Sequence, residues 1–139
     1  MTLAVVDARG EGRLLVGYAN PGGSTAWLEA TMRPEPPIEC QIMSEAGGGL
    51  VPPAGRELRP SSVGSSDDGE GWWTLFSGSA GADISEVAAE VPGLPPIVGT
   101  LTADGWFALW WPEAGDPPFD FRIVGFGADG AEIAELVHP

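Results

Sequence analysis

The chain has 139 residues, the length of one domain that buries roughly two-thirds of the surface its unfolded form exposes. Apolar residues at 43% and six tryptophans exclude wholesale disorder, while 21 glycines and 14 prolines exclude long helices and predict short elements joined by turns. Twenty acidic residues stand against six basic ones, all arginine, and the net charge of −14 argues against nucleic acid and anionic lipid as partners.

Residues 2–9 and 13–20 read as two strands joined at Gly10-Glu11-Gly12. A turn cluster at 20–23 leads into a third strand from Ala26, and Pro34, Pro36 and Pro37 then break the chain. In 38–44, Ile38, Cys40 and Ile42 alternate with Glu39, Gln41 and Met43, which predicts a strand with Cys40 facing the core. Residues 46–71 turn to Gly, Pro, Ser and acid and read as a mobile loop, with a short edge strand near 56–58 as the alternative. Strand pattern resumes at 72–76. Residues 83–91 carry two signals. Asp83 and Glu86 fit a capping box with Ile84, Val87, Ala88 and Val91 at helical spacing, whereas Val87, Ala89 and Val91 alternate with Glu86, Ala88 and Glu90. Pro92-Gly93 cuts the segment at strand length, which favours strand.

The stretch 97–112, IVGTLTADGWFALWWP, reads as a hairpin, because Asp104-Gly105 suits a two-residue type I′ turn. That register sets Thr102 opposite Phe107, Leu101 opposite Ala108 and Thr100 opposite Leu109. One face then carries Leu101, Trp106, Ala108 and Trp110, and the other Thr100, Thr102, Phe107, Leu109 and Trp111. The threonines mark the second face as partly solvated, so Trp106 and Trp110 are expected in the core as the more buried pair and Phe107 as the less buried residue. The ridge of Phe107, Leu109 and Trp111, together with Trp73, is therefore the expected contact surface, most simply of a weak homodimer. Residues 119–127 and 131–137 form a second hairpin around Asp129-Gly130. It pairs Phe121 with His138, Ile123 with Leu136 and Val124 with Glu135, and leaves Arg122 diagonal to Glu135 and within reach of an ion pair.

Eight or nine strands without a convincing long helix predict one domain over 1–139: all-β, a two-layer antiparallel β-sandwich of immunoglobulin-like architecture, without the paired-cysteine signature. The segment 83–136 contains GTLTADGWFALWWP, an F-x-F-R-I strand and an A-D-G turn. It resembles the C-terminal halves of extracytoplasmic domains in actinobacterial membrane proteins of unknown function. The resemblance implies a β fold more than an activity, and the transmembrane helix that precedes those domains is missing here. No apolar run is long enough for a membrane span. Met1 as the natural start implies a cytoplasmic protein, and a removed upstream anchor an extracytoplasmic one.

Catalytic chemistry finds little to work with. His138 is the only histidine, which excludes a multi-histidine metal site and leaves a triad no base inside the fold. Cys40 stands alone, so the chain has no internal disulfide and no cysteine-based zinc cluster, and a mid-strand thiol lacks the basic neighbour of a nucleophile. The glycine runs at 47–49 and 78–81 match neither phosphate-loop nor dinucleotide fingerprints, and no lysine exists to meet a phosphate. Asp67, Asp68 and Glu70 lack the spacing of an EF-hand and read as a solvated acidic loop. No catalytic, cofactor or metal residue is assigned, and the expected function is a non-catalytic interaction or structural module. Carbohydrate stacking on Trp111 or Trp73 is the alternative, and a carboxylate-based hydrolase comes third.

Overall fold

A computed structural model describes residues 2–9, 12–19, 25–32, 39–45, 53–67, 72–113 and 120–138. Every regular element in them is a strand, so the protein is all-β. The chain divides into two compact units, Met1–Val51 and Pro52–Pro139, where the sequence reading expects one domain. The first unit holds β1 (Thr2–Arg9), β2 (Gly12–Ala19), β3 (Thr25–Met32) and β4 (Glu39–Glu45), an antiparallel meander in the order β1-β2-β3-β4. Cys40 stands opposite Ala30 in it. The orientation of the Cys40 side chain, the turn cluster at 20–23 and the prolines at 34–37 lie outside the described residues.

The second unit holds β5 (Leu58–Asp67), β6 (Trp72–Ala80), β7 (Glu86–Glu90), β8 (Ile97–Val98), β9 (Thr100–Leu101), β10 (Trp106–Glu113), β11 (Phe121–Phe126) and β12 (Glu132–His138). They form two antiparallel sheets, β5-β6-β10-β9 and β12-β11-β7-β8, packed as a two-layer β-sandwich. The segment 83–91 resolves as strand: Val87, Ala89 and Val91 enter the core, and Glu86 and Glu90 face out. The expected loop over 46–71 is corrected by β5, ten residues long and hydrogen-bonded to β6 along its length. Its periodicity is faint because an edge strand contributes few core side chains, here Leu58 and Val63. Pro60 is tolerated because it lies on the edge beside a bulge between Pro60 and Ser62. Residues 46–52 and 68–71 lie outside the described set.

The hairpin ending in β10 departs from the expected register. Asp104 does not have positive φ; Gly105 alone does, at 83°. Gly105 N–H donates to Thr102 O at 3.0 Å, and Thr102 N–H to Trp106 O at 2.8 Å. This is a three-residue loop, a type I turn followed by a left-handed glycine, and not a two-residue type I′ turn. Leu101 therefore stands opposite Phe107 and Thr100 opposite Ala108. A slip of one residue moves a strand's whole apolar set to the other face. Leu101 joins Phe107, and the argument that threonines mark that face as solvated disappears. At Gly99 the chain leaves one sheet for the other: β8 pairs with β7, β9 pairs with β10, and Gly99 N–H donates to Val87 O at 2.9 Å. A Cβ here would meet Ala108 O at 2.7 Å, so the corner requires glycine.

The core lies between the two sheets of this unit. Phe107, Leu109 and Trp111 of β10 and Phe76 of β6 meet Val87 and Ala89 of β7 and Phe121 and Ile123 of β11. Phe121 contacts the facing sheet edge-on, with ring centroids 5.6 Å from Phe76 and 5.0 Å from Trp111. The Phe107 ring lies over Gly78, where any Cβ would meet it at 2.7 Å. Trp111 Nε1 and Thr74 Oγ1, on register partners of this face, are buried without a hydrogen bond.

Candidate functional site

The expected contact surface is the core. Phe107, Leu109 and Trp111 are each 0% exposed, and what covers them is the second sheet of their own unit. A homodimer built on that ridge has no surface to use. Trp111 likewise offers no face to a sugar ring. Trp73 is half-buried, and its ring lies 4.6 Å from that of Trp110 at an interplanar angle of 32°, so one of its faces is already taken. Trp110 is buried as expected, but on the opposite side of the sheet from this core; Trp106 is only half-buried. The side chain of His138 and residues Asp68 and Glu70 lie outside the described set.

Exposed chemistry gathers instead on the outer side of the sheet β12-β11-β7-β8. Alternation along β11 turns Phe121 and Ile123 inward and Arg122, Val124 and Phe126 outward. Cross-strand register then sets Glu90 of β7 beside Arg122, Glu135 of β12 beside Val124 and Glu132 beside Phe126. Arg122 donates from all three guanidinium nitrogens: Nε to Glu135 and one terminal nitrogen to Glu90, each at 2.8 Å, and the other to Glu132. Its hydrogen bonds to Glu132 and then to Glu135 raise the guanidinium pKa further above its ordinary value. To reach both glutamates of β12 the arginine stem must run over Val124, which is fully buried although it is on the outer face. The Arg122–Glu135 pair expected from the register is present. Glu90 and Glu132 extend it into a clamp across three strands.

At the end of this sheet lies an open groove of about 430 Å³. Its walls are the end of β7, the turn 91–96, the start of β11 and the end of β12. Leu94 and Val137 stand in it at 38% and 67% exposure, with Pro92 and Pro96 beside them and Glu90 and Asp120 as its carboxylates. The turn is fixed by Gly93 at φ 82° and by a bond from Leu94 N–H to Val91 O at 3.1 Å. The sequence carries a signal for this site: in Pro92-Gly93-Leu94-Pro95-Pro96 a leucine is held among turn residues, which put it at the surface.

Among the described residues no group of histidine, cysteine, aspartate and glutamate side chains could hold a metal ion. No helix among them is long and apolar enough to cross a membrane. Comparison with protein-family models, with curated proteins and with solved structures finds no match to this chain.

Proposed function

We propose that the chain is a non-catalytic interaction module whose contact surface is the groove side of the sheet β12-β11-β7-β8. The observation that carries this reading is the exposure of Leu94 and Val137 on one groove while the aromatic ridge of β10 is closed. Apolar side chains exposed together beside polar groups are the usual composition of a protein contact. The ionisable cluster beside the groove supports the same reading, because Arg122 is engaged at all three nitrogens and joins strands where a catalytic acid or base would need a free group.

We further read the C-terminal unit as immunoglobulin-like. In support, with β8 and β9 taken as one strand that changes sheet at Gly99, strands one, two, five and four of the unit form one sheet, β5-β6-β10-β9, and strands seven, six and three, with the first half of strand four, form the other, β12-β11-β7-β8. The likeness of 83–136 to extracytoplasmic domains is compatible with such a module, and an extracytoplasmic setting belongs to the proposal. The test is site-specific photocrosslinking in the native host, with the reactive residue at 94 or 137 and, as controls, at 57 or 83. A partner adduct at the first two positions and none at the controls supports the reading; the same adducts at all four would overturn it.

A further inference from the structure

We infer that the groove receives a basic, apolar peptide segment of another protein. This rests on the interaction reading above and adds the chemistry of the partner. Its first ground is charge. Glu90 and Asp120 line the groove, Glu132 and Glu135 stand beside it on the outer face of the sheet, and among the described residues of this cluster Arg122 is the one cation, already bonded to three of the four. A net negative rim favours a cationic occupant and raises its encounter rate. A second copy of this chain suits that rim poorly, since it brings six arginines against twenty acidic residues and a net charge of −14.

The second ground is shape and stiffness. A volume of about 430 Å³ falls within the roughly 300–1,000 Å³ of ligand clefts. Its floor of Leu94, Val137, Pro92 and Pro96 suits aliphatic side chains, and Lys or Arg stems add apolar contact while their heads reach Glu90 and Asp120. Pro92, Pro95 and Pro96 fix φ along the turn that carries Leu94, so the groove is preorganised and binding loses little chain entropy. Glu90 then serves two partners: it keeps its bond to Arg122 and turns its remaining lone pairs to the peptide.

The experiment is amide-resolved NMR titration of the full chain with three short capped peptides, alternating Lys-Leu, Glu-Leu and Lys-Ser. The Lys-Leu peptide is expected to shift amides in 90–96, 120–122 and 136–137. Its affinity should fall about tenfold in a Leu94→Ser, Asp120→Asn double variant, both exposed positions outside strands, and stay unchanged in Glu57→Gln. Equal binding of Lys-Ser would reduce the effect to diffuse charge attraction and overturn the inference. Groove shifts with Glu-Leu as strong as with Lys-Leu would overturn the basic chemistry and leave the contact surface standing. Absence of groove shifts with all three peptides overturns the inference as well, and the crosslinks at 94 and 137 then decide separately whether the surface is used.

Discussion

Two hairpins of the C-terminal unit turn on the same Ala-Asp-Gly triplet, at 103–105 and at 128–130, and they end with different registers. The turns themselves match. Gly105 and Gly130 have φ of 83° and 79°, and each donates its N–H to the carbonyl three residues back, at 3.0 and 2.9 Å. In the second hairpin a bulge at Gly125/Phe126 takes up the extra loop residue, so Val124 meets Glu135 and Ile123 meets Leu136 as a two-residue turn would have set them. The first hairpin has no bulge between turn and pairing, so Leu101 meets Phe107 and its faces exchange. An Asp-Gly pair thus locates a reversal without stating how many residues the loop holds, and one residue decides which aromatic side chains enter the core.

The largest expected effect tests the inner face of the first hairpin. Trp111→Ala should destabilise the chain by about 3–5 kcal/mol, as for other buried tryptophans, whereas Val137→Ala should change little. Urea denaturation midpoints check this. Similar midpoints for the two variants would return Trp111 to the surface.

The two turn glycines give the next effect. Gly130→Ala meets nothing within 4 Å and should cost only the left-handed conformation, about 1–2 kcal/mol. Gly105→Ala also drives its Cβ to 2.6 Å from Ala80 O, a backbone atom, which adds about 1–3 kcal/mol of overpacking. The ordering Gly105→Ala worse than Gly130→Ala should appear in thermal and urea unfolding alike; equal losses would mean that the two turns are packed alike.

How much of this was legible follows from the same contrast. The strand position of β11 was readable, and the second hairpin's register and the Arg122–Glu135 pair came with it, whereas 83–91 carried helix and strand signals at once because Ala88 is apolar on the face away from Val87 and Ala89. The face of β10 was not readable, since Trp106 to Trp111 are apolar on both sides and periodicity cannot rank two apolar faces. The edge strand β5 was hidden by Pro60 and its serines, whose pairing comes from backbone bonds to β6 and hardly from side chains. The groove was out of reach because it joins residues from three separate segments, and only the leucine among prolines hinted at it.

A smaller effect of opposite sign is expected on the wall that β6 shares with the first hairpin. Thr74→Val removes a buried hydroxyl that lacks a partner and keeps the shape, so it should be neutral or stabilising by up to about 1 kcal/mol. A clear loss in differential scanning calorimetry would point to a polar partner for Oγ1, such as a buried water shared with Trp111 Nε1.

On the side away from the core the second hairpin presents Arg122 to water with three glutamates, an arrangement with an electrostatic part in the ion pairs and a steric part in the arginine stem. The guanidinium pKa is raised on folding, so its stabilising contribution is fully present below the unfolded value and is lost only as pH rises through the still higher folded one. Deprotonation of Arg122 therefore gives no pH dependence at neutral or mildly alkaline pH. Salt does act on it, because the side chains of the clamp are solvent-accessible and screening weakens exposed pairs. Arg122→Met keeps an apolar cover over Val124 and removes the charge, leaving Glu90, Glu132 and Glu135 to repel one another. Its denaturation midpoint should lie below the parent's at low salt and approach it as salt rises. Arg122→Lys should fall short of the parent too, since one ammonium on a flexible stem lacks the planar fork that reaches both neighbouring strands. A gap between parent and Arg122→Met that salt leaves untouched would assign the arginine's value to its stem over Val124 and take the ion pairs out of the account of stability.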